Sequence, residues 1–201
     1  MLSVEKFEQA PCVFIYKKAI DSSNFINMVE EESSKSWPYL MWTQSSTGDG
    51  ENNGFISEHR TSFEMSMNPL LLGDVNEDLV KIQNKLIEDI LKPIDQCVWD
   101  YRNFFDLPLK SETSYSILKY SGGSEYHLHF DHASANERVL SMVACLGQEE
   151  FDGGELEFNN FNLTVKLNKD DLILFPSNFP YSHIAHPVNR GIKYSLVTWF
   201  I

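Results

Sequence analysis

The pattern of hydrophobic and polar positions divides the chain into a helical first part and a strand-rich second part. Residues 76–105 carry apolar side chains at helical spacing, with Leu79, Ile82, Leu86 and Ile90 on one stripe. Pro93 is expected to kink or break this helix, because proline lacks a backbone N–H and crowds the preceding turn.

Three further elements are predicted before residue 60. Residues 10–16 are apolar and favour a short strand, and residues 21–35 have the spacing of an amphipathic helix, with Asp21 or Ser22 as the N-cap. The polar, glycine-rich residues 43–54 predict a loop.

From residue 114 onwards the pattern changes to short runs rich in β-branched and aromatic residues, separated by turn residues. The runs are residues 114–120, 125–131, 137–147, 154–158, 163–167, 171–175, 181–188 and 192–201. Eight short strands at this spacing are typical of a sandwich, jelly roll or barrel. We therefore predict an α+β, mainly β fold. Its core is a double-stranded β-helix (jelly roll) over residues 111–201, and a helical and mixed support region, residues 1–110, packs on it within one structural unit.

The composition limits which partners the protein can bind and which cell compartment it is expected to occupy. The net charge of −13 argues against binding to nucleic acid or to an anionic membrane surface, since both require clustered Lys and Arg. Three widely separated cysteines favour a reducing compartment. The sequence shows no signal-peptide pattern and no apolar run long enough to span a membrane. These features predict a cytoplasmic protein, and they carry no signal for the oligomeric state.

The segment YSGGSEYHLHFDH, residues 120–132, concentrates potential metal ligands. On a strand, His127, His129 and Asp131 would share one face and His132 would lie on the other. A His-x-Asp pair on one strand can place an imidazole and a carboxylate on a single ion, and strand alternation leaves His127 and His129 as equal candidates.

A third ligand has to come from another segment. His183 and His186 are the downstream histidines, and because they are three residues apart, at most one can join the site from a regular strand. Two histidines and one carboxylate form the facial triad typical of non-haem Fe(II) oxygenases.

Lys193 is unusual because it lies in a largely apolar terminal strand, on the face shared by Ser195, Val197 and Trp199. A buried ammonium group is costly without a partner. An acidic cosubstrate would supply that partner, and the alternative is a lysine at an exposed strand end.

Two blocks of residues match a known pattern with every spacing kept. The first block is Tyr120, Gly123, Tyr126, His129 and Asp131, and the second is His183, Pro187, Val188, Gly191, Lys193 and Trp199. Between them lies FDGGELEF, residues 151–158, and upstream lie Arg60, Thr61 and Ser62. The chain thereby resembles the prolyl 4-hydroxylase branch of the 2-oxoglutarate and Fe(II)-dependent dioxygenases, in a small form of bacterial or viral type. It departs from the collagen-type pattern at Leu156, where a threonine is common.

The resemblance implies roles for several of the matched residues. His129, Asp131 and His183 would be the iron ligands, Lys193 would bind the distal carboxylate of 2-oxoglutarate, and Tyr120 would hydrogen-bond the same cosubstrate. O2 would be the second cosubstrate, and ascorbate would serve as a reductant.

A substrate groove beside the iron is also expected. The candidate groove residues are Arg60, Tyr126 and Trp199, with residues 43–57 as a candidate lid. Trp42 or Phe55 would contribute an aromatic surface to which a proline-rich peptide docks.

The resemblance implies hydroxylation of a C–H bond, foremost in a peptidyl proline, with release of succinate and CO2. A peptide or protein would then be the substrate. One alternative keeps the chemistry but applies it to a free amino acid, a small metabolite or another protein side chain. Another alternative is a cupin-like metal-binding module that does not turn over.

Overall fold

The computed structural model describes residues 4–35, 40–47, 56–72, 76–132, 137–147 and 150–201. More of these residues lie in strands than in helices. The strands are β1 (Glu5–Ala10), β2 (Val13–Lys17), β3 (Thr43–Gln44), β4 (Phe63–Ser66), β5 (Ser116–Ser121), β6 (Tyr126–His129), β7 (Leu140–Leu146), β8 (Asp152–Gly153), β9 (Leu156–Phe158), β10 (Leu163–Val165), β11 (Leu172–Pro176), β12 (His183–Ala185), β13 (Val188–Arg190) and β14 (Ile192–Phe200).

The helices precede β5, apart from two short 3-10 turns at Asn159–Phe161 and Phe179–Tyr181. They are α1 (Phe25–Ser33), α2 (Asn68–Leu72), α3 (Glu77–Lys85) and α4 (Lys92–Phe105), with a π-helical segment, Leu86–Leu91, joining α3 to α4. None of the described helices combines the length and the apolar character needed to cross a membrane.

The strands form two principal antiparallel sheets and one short pair. The large sheet has the order β1-β2-β11-β7-β14-β5-β4-β3, and the small sheet has the order β10-β9-β12-β6. Strands β13 and β8 pair separately. This mainly β architecture is the predicted jelly roll, and each of the eight predicted runs overlaps an observed strand.

The large sheet buries a different apolar cluster on each face, because successive side chains of a strand point to opposite sides. On β14, Tyr194 and Leu196 belong to the cluster that also contains the buried residues of α1, α3 and α4. Val197 belongs to the cluster shared with the small sheet. Lys193 and Ser195 alternate with Tyr194 and Leu196, so they lie on the face toward the small sheet.

The large sheet also contains strands from both sides of residue 110. Strand β2 pairs with β11, and β4 pairs with β5. The division of the chain at residue 110 stays a prediction.

The start of α1 differs from the prediction. Its N-cap is Asn24, in the left-handed conformation and without a side-chain cap bond, so the expected cap at Asp21 or Ser22 was wrong. Ser22 is instead fully buried, and both its N–H and its hydroxyl donate to the carboxylate of Asp170. Ser22, which the local sequence pattern assigned to the helix N-cap, therefore forms hydrogen bonds to a residue that is distant in the sequence.

Pro93 does not break the long helix. It lies in the first turn of α4, directly after the π-helical segment, in which the N–H of Lys92 donates to the carbonyl of Ile87. In a regular α-helix, residue 93 would donate to the carbonyl of Asp89, but proline has no N–H. That carbonyl accepts the N–H of Asp21 at 3.0 Å instead, so the missing bond is replaced from another segment.

The helical face that packs on the large sheet should dominate the stability of this region. Leu86 is fully buried in the π-helical segment, whereas Val80 on α3 is 37% exposed. We predict that Leu86→Ala lowers the free energy of unfolding by about 2–5 kcal/mol, because it leaves a cavity. The control Val80→Ala should change it by no more than about 0.5 kcal/mol. Urea denaturation measures both, and equal effects would contradict this packing.

Candidate metal centre

Three potential ligands converge where β6 pairs with β12. His129 is the last residue of β6, Asp131 follows it, and His183 opens β12 directly opposite His129 in the ladder. One ligand atom from each residue lies within 4.8 Å of the other two. Nε2 of His129 is 3.6 Å from Oδ1 of Asp131, and Nε2 of His183 is 3.9 Å from Oδ2. Donors this close can share a single ion.

Backbone carbonyls orient both imidazoles. Nδ1 of His129 lies 2.7 Å from the carbonyl oxygen of His127, and Nδ1 of His183 lies 3.0 Å from that of Tyr181. A carbonyl can only accept, so each Nδ1 carries the proton and each Nε2 keeps its lone pair for a metal.

The protonation states also suit a metal. Burial, followed by the nearby His183, lowers the pKa of His129 to about 3, so its ring is neutral near pH 7. Burial by itself raises the pKa of Asp131, but His183, His129 and hydrogen bonds from Ser141 and Trp199 outweigh it and hold that pKa below its usual range. Neutral imidazoles and an ionised carboxylate are the forms that bind a metal. The donor set therefore fits a divalent ion such as Fe(II).

The other candidate histidines point to other partners. Nδ1 of His127 lies 3.0 Å from Nδ1 of His59, Nδ1 of His132 donates to the carbonyl of Arg138, and Nε2 of His186 lies 2.6 Å from the carboxylate of Glu157. Of the two candidates that strand alternation left open, the structure places His129 rather than His127 beside Asp131.

A cavity of about 470 Å³ opens beside these ligands. Its lining includes His129, Asp131 and His183 together with Tyr120 and Lys193. The proposed metal ligands and the proposed cosubstrate residues thus share one cavity between the two sheets.

Among the described residues, Lys193 has no carboxylate partner. Its side chain is buried, and its ammonium donates to the carbonyl of Gly154 at 2.6 Å. No carboxylate of the described residues lies within 4.0 Å of it, and burial lowers its pKa. On the same wall, the buried hydroxyl of Ser195 has no hydrogen-bond partner among the residues described. A buried cation and an unpaired hydroxyl fit an acidic ligand such as 2-oxoglutarate.

Two glycines of the FDGGELEF segment allow this arrangement. A Cβ on Gly154 would lie 2.9 Å from Cδ of Lys193, and a Cβ on Gly153 would lie 2.1 Å from the carbonyl oxygen of Pro187. Both glycines also have positive φ, which side chains disfavour. Leu156, the departure from the collagen-type pattern, is buried and lines the cavity, so it supplies an apolar surface where a threonine would supply a hydroxyl.

All three predicted groove residues line the cavity. The ring of Tyr126 stacks on that of His129, with centroids 3.5 Å apart, and the guanidinium of Arg60 lies 5.0 Å from the centre of the Tyr126 ring. Trp199 lies under the guanidinium of Arg138 at 3.8 Å, and it helps to lower the pKa of Asp131. Trp199 therefore influences a candidate metal ligand electrostatically.

The sequence pattern missed several residues of the site. Arg138 lines the cavity and donates to the carbonyl of Asp131, and Ser141 donates to the carboxylate of Asp131. Neither belongs to a recognisable motif, although both follow closely after the His-x-Asp pair.

The predicted lid and docking aromatics are only partly described. Residues 48–55, which include Phe55, lie outside the described part of the chain. Within residues 43–57, Ser46 and Thr47 line the cavity. Trp42 is not among the residues that line this cavity; its ring packs against Tyr194 and its indole N–H donates to Glu30, and its docking role stays a prediction.

Comparison with known proteins finds similarity to the same family. Residues 115–201 match the family model described as the 2OG-Fe(II) oxygenase superfamily. A PKHD-type hydroxylase from Synechococcus sp. (strain JA-2-3B'a(2-13)) is 30% identical over 128 residues, which cover 58% of this chain and 54% of the relative. The chain thus spans about half the length of the curated relatives it matches.

Solved structures confirm the fold. A Pseudomonas putida prolyl-4-hydroxylase aligns with a TM-score of 0.67 at 17% identity, over 94% of this chain and 92% of that one. A Trichoplax adhaerens prolyl hydroxylase, in complex with a peptide fragment of the oxygen degradation domain of hypoxia inducible factor, aligns with a TM-score of 0.71 at 16% identity, over 94% and 83%. The resemblance predicted from the two ligand blocks is confirmed, and so is the jelly-roll fold.

The structure assigns different surroundings to His127 and His129, and the metal affinity of their variants should differ accordingly. We predict that His129→Ala weakens binding of Mn²⁺, a stand-in for Fe(II), by more than the 10–100-fold typical of outer-shell changes, because a direct ligand is lost. The control His127→Ala should bind within about threefold of the unaltered chain, since its ring faces His59. Isothermal titration measures both. The reverse order would contradict the assignment.

Proposed function

We propose that this chain, whose residues 115–201 match the model of the 2OG-Fe(II) oxygenase superfamily, is an Fe(II)- and 2-oxoglutarate-dependent dioxygenase that hydroxylates a peptidyl proline. The observation that carries the proposal is the buried ammonium of Lys193, which has no carboxylate partner among the described residues and lines the same cavity as His129, Asp131 and His183. A binding module without turnover would have no use for this second charged site.

In this proposal, His129, Asp131 and His183 hold the iron and leave the rest of its coordination sphere to ligands from the cavity. When bound, the metal and 2-oxoglutarate together with O2 supply the oxidation that hydroxylates a C–H bond and releases succinate and CO2. The protein's part is to fix the three ligands, and the hydrogen bonds on Nδ1 of the two histidines do this for the imidazoles.

Lys193 is proposed to bind the distal carboxylate of 2-oxoglutarate. Its ammonium is a compact charge with three donors, of which Gly154 engages one. Tyr120 lies beside it, with the ammonium 5.5 Å from the centre of its ring. Burial raises the pKa of the Tyr120 phenol, so the phenol stays protonated and can donate a hydrogen bond. Apolar side chains such as Leu118 and Val197 line the same cavity and exclude water from it.

The residues that line the cavity and the similar proteins both support a peptidyl proline as the proposed substrate. Two cation–aromatic pairs, Arg60 with Tyr126 and Arg138 with Trp199, flank the candidate metal ligands. Aromatic surfaces suit the ring of a proline, and guanidinium groups can donate to peptide carbonyls. The Trichoplax adhaerens neighbour is a prolyl hydroxylase seen with a peptide. A peptide or protein substrate, rather than a nucleic acid, also agrees with the net charge of −13.

The cosubstrate role of Lys193 can be separated from metal binding. We predict that Lys193→Ala raises the KM for 2-oxoglutarate by about 10–100-fold, because a charge-assisted hydrogen bond contributes about 1.5–3 kcal/mol. Metal affinity should be unchanged. The matched control is Lys92→Ala, which removes an exposed lysine paired with Glu88 and should leave the KM unchanged. An unchanged KM in Lys193→Ala would contradict the proposed role.

The reaction itself is tested with Fe(II), 2-oxoglutarate, ascorbate and a pool of proline-containing peptides, each matched by a peptide with alanine in place of proline. We expect iron-dependent succinate formation and a mass gain of one oxygen atom on proline only. A lack of succinate in the iron-loaded protein would sink the dioxygenase proposal. Succinate with oxygen incorporated elsewhere, or into a free amino acid, would contradict only the substrate.

A further inference from the structure

The carboxylate of Asp131 is held by a chain of two buried serine hydroxyls. Oγ of Ser141 donates to Oδ2 of Asp131 at 2.7 Å, and Oγ of Ser177 lies 2.8 Å from Oγ of Ser141. Both serines are 1% exposed, so water does not compete for these bonds.

Counting protons shows which group donates and which accepts in each of these hydrogen bonds. Each hydroxyl has one proton, and an ionised carboxylate can only accept. Ser141 uses its proton on Asp131, so Ser177 must donate to Ser141. A donated bond strengthens the donor power of the hydroxyl that receives it, so Ser177 reinforces the bond that Ser141 makes to the carboxylate.

Ser177 also holds the main chain around Asp131. It directly follows β11, and its carbonyl accepts the N–H groups of Asp131 at 3.1 Å and His132 at 2.8 Å. Its own N–H donates to the carbonyl of Val139 at 3.0 Å. A single residue at the end of β11 therefore bonds the backbone of Asp131 and, through Ser141, its side chain.

This arrangement distinguishes the two oxygens of the Asp131 carboxylate. Oδ2 accepts from Ser141 and lies 3.9 Å from Nε2 of His183, whereas Oδ1 has no hydroxyl partner among the described residues and lies 3.6 Å from Nε2 of His129. A carboxylate fixed in one rotation binds an ion without first losing rotational freedom.

We propose that Ser177 is a positioning residue for the metal ligand Asp131 and that its hydroxyl acts through Ser141. The inference rests on the proposed function, because it takes Asp131 as a metal ligand. Neither serine belongs to the two ligand blocks of the sequence.

A second pair of buried serines, Ser45 and Ser62, serves as a control for the Ser141–Ser177 pair. Oγ of Ser62 donates to Oγ of Ser45 at 2.9 Å, and both residues are fully buried, but neither hydrogen-bonds a candidate metal ligand. Ser62→Ala therefore removes a buried serine–serine hydrogen bond that involves neither Asp131 nor Ser141.

The test is the dissociation constant for Co²⁺ in the full chain without cosubstrate, together with the visible spectrum of the bound ion. Ser141→Ala should bind Co²⁺ about 10–100-fold more weakly, the usual effect of losing an outer-shell partner, and Ser177→Ala about 3–10-fold more weakly. Because Ser177 acts through Ser141, the double variant should bind like Ser141→Ala alone. Ser62→Ala should keep the affinity and the spectrum unchanged.

Folding is monitored by the thermal midpoint of the metal-free protein. Ser177→Cys keeps the size of the side chain but donates only weakly, so it should weaken Co²⁺ binding in the same direction even where Ser177→Ala does not fold. If the unaltered chain does not bind Co²⁺, the proposed function itself fails. If it binds and the Ser141 and Ser177 variants match it, the positioning role is wrong. If the two effects multiply in the double variant, Ser177 does not act through Ser141.

Discussion

The register between β6 and β12 is the constraint on which the site depends. It places His129 directly opposite His183, and the chain turns past β6 so that Asp131 joins them. A slip of one residue would move every side chain of β6 to the other face of the small sheet. Hydrogen bonds outside the ladder, from the N–H of His127 to the carbonyl of His59 and from that of Asp131 to Ser177, hold β6 in this register.

The second feature that organises the site is the positive charge of Lys193, which is not paired with a carboxylate among the described residues. Lys193 is buried among apolar residues with a carbonyl as its hydrogen-bond acceptor, and such a group costs stability until a carboxylate joins it. The metal ligands and the lysine lie on different sheets, so the cavity between the sheets is where a bidentate acidic cosubstrate would connect them. The jelly roll thus serves to hold two charged sites at a fixed separation.

Much of the fold and of the candidate metal site was predictable from the sequence, because these features depend on patterns among residues that are close in the sequence. Runs of β-branched and aromatic residues between turn residues located the eight predicted strands, and the family resemblance carried by two ligand blocks implied His129, Asp131 and His183 as ligands. What the sequence did not predict depends on contacts between distant segments. Ser22 bonds Asp170 rather than capping α1, and no local pattern marks such pairs.

The most direct measurement is a crystal structure of the chain with Mn²⁺ and an unreactive analogue of 2-oxoglutarate. The account predicts a metal bound by Nε2 of His129, a carboxylate oxygen of Asp131 and Nε2 of His183. It also predicts the distal carboxylate of the analogue on the ammonium of Lys193. Metal bound at His127 and His59 instead, or an analogue whose distal carboxylate lies away from Lys193, would contradict it.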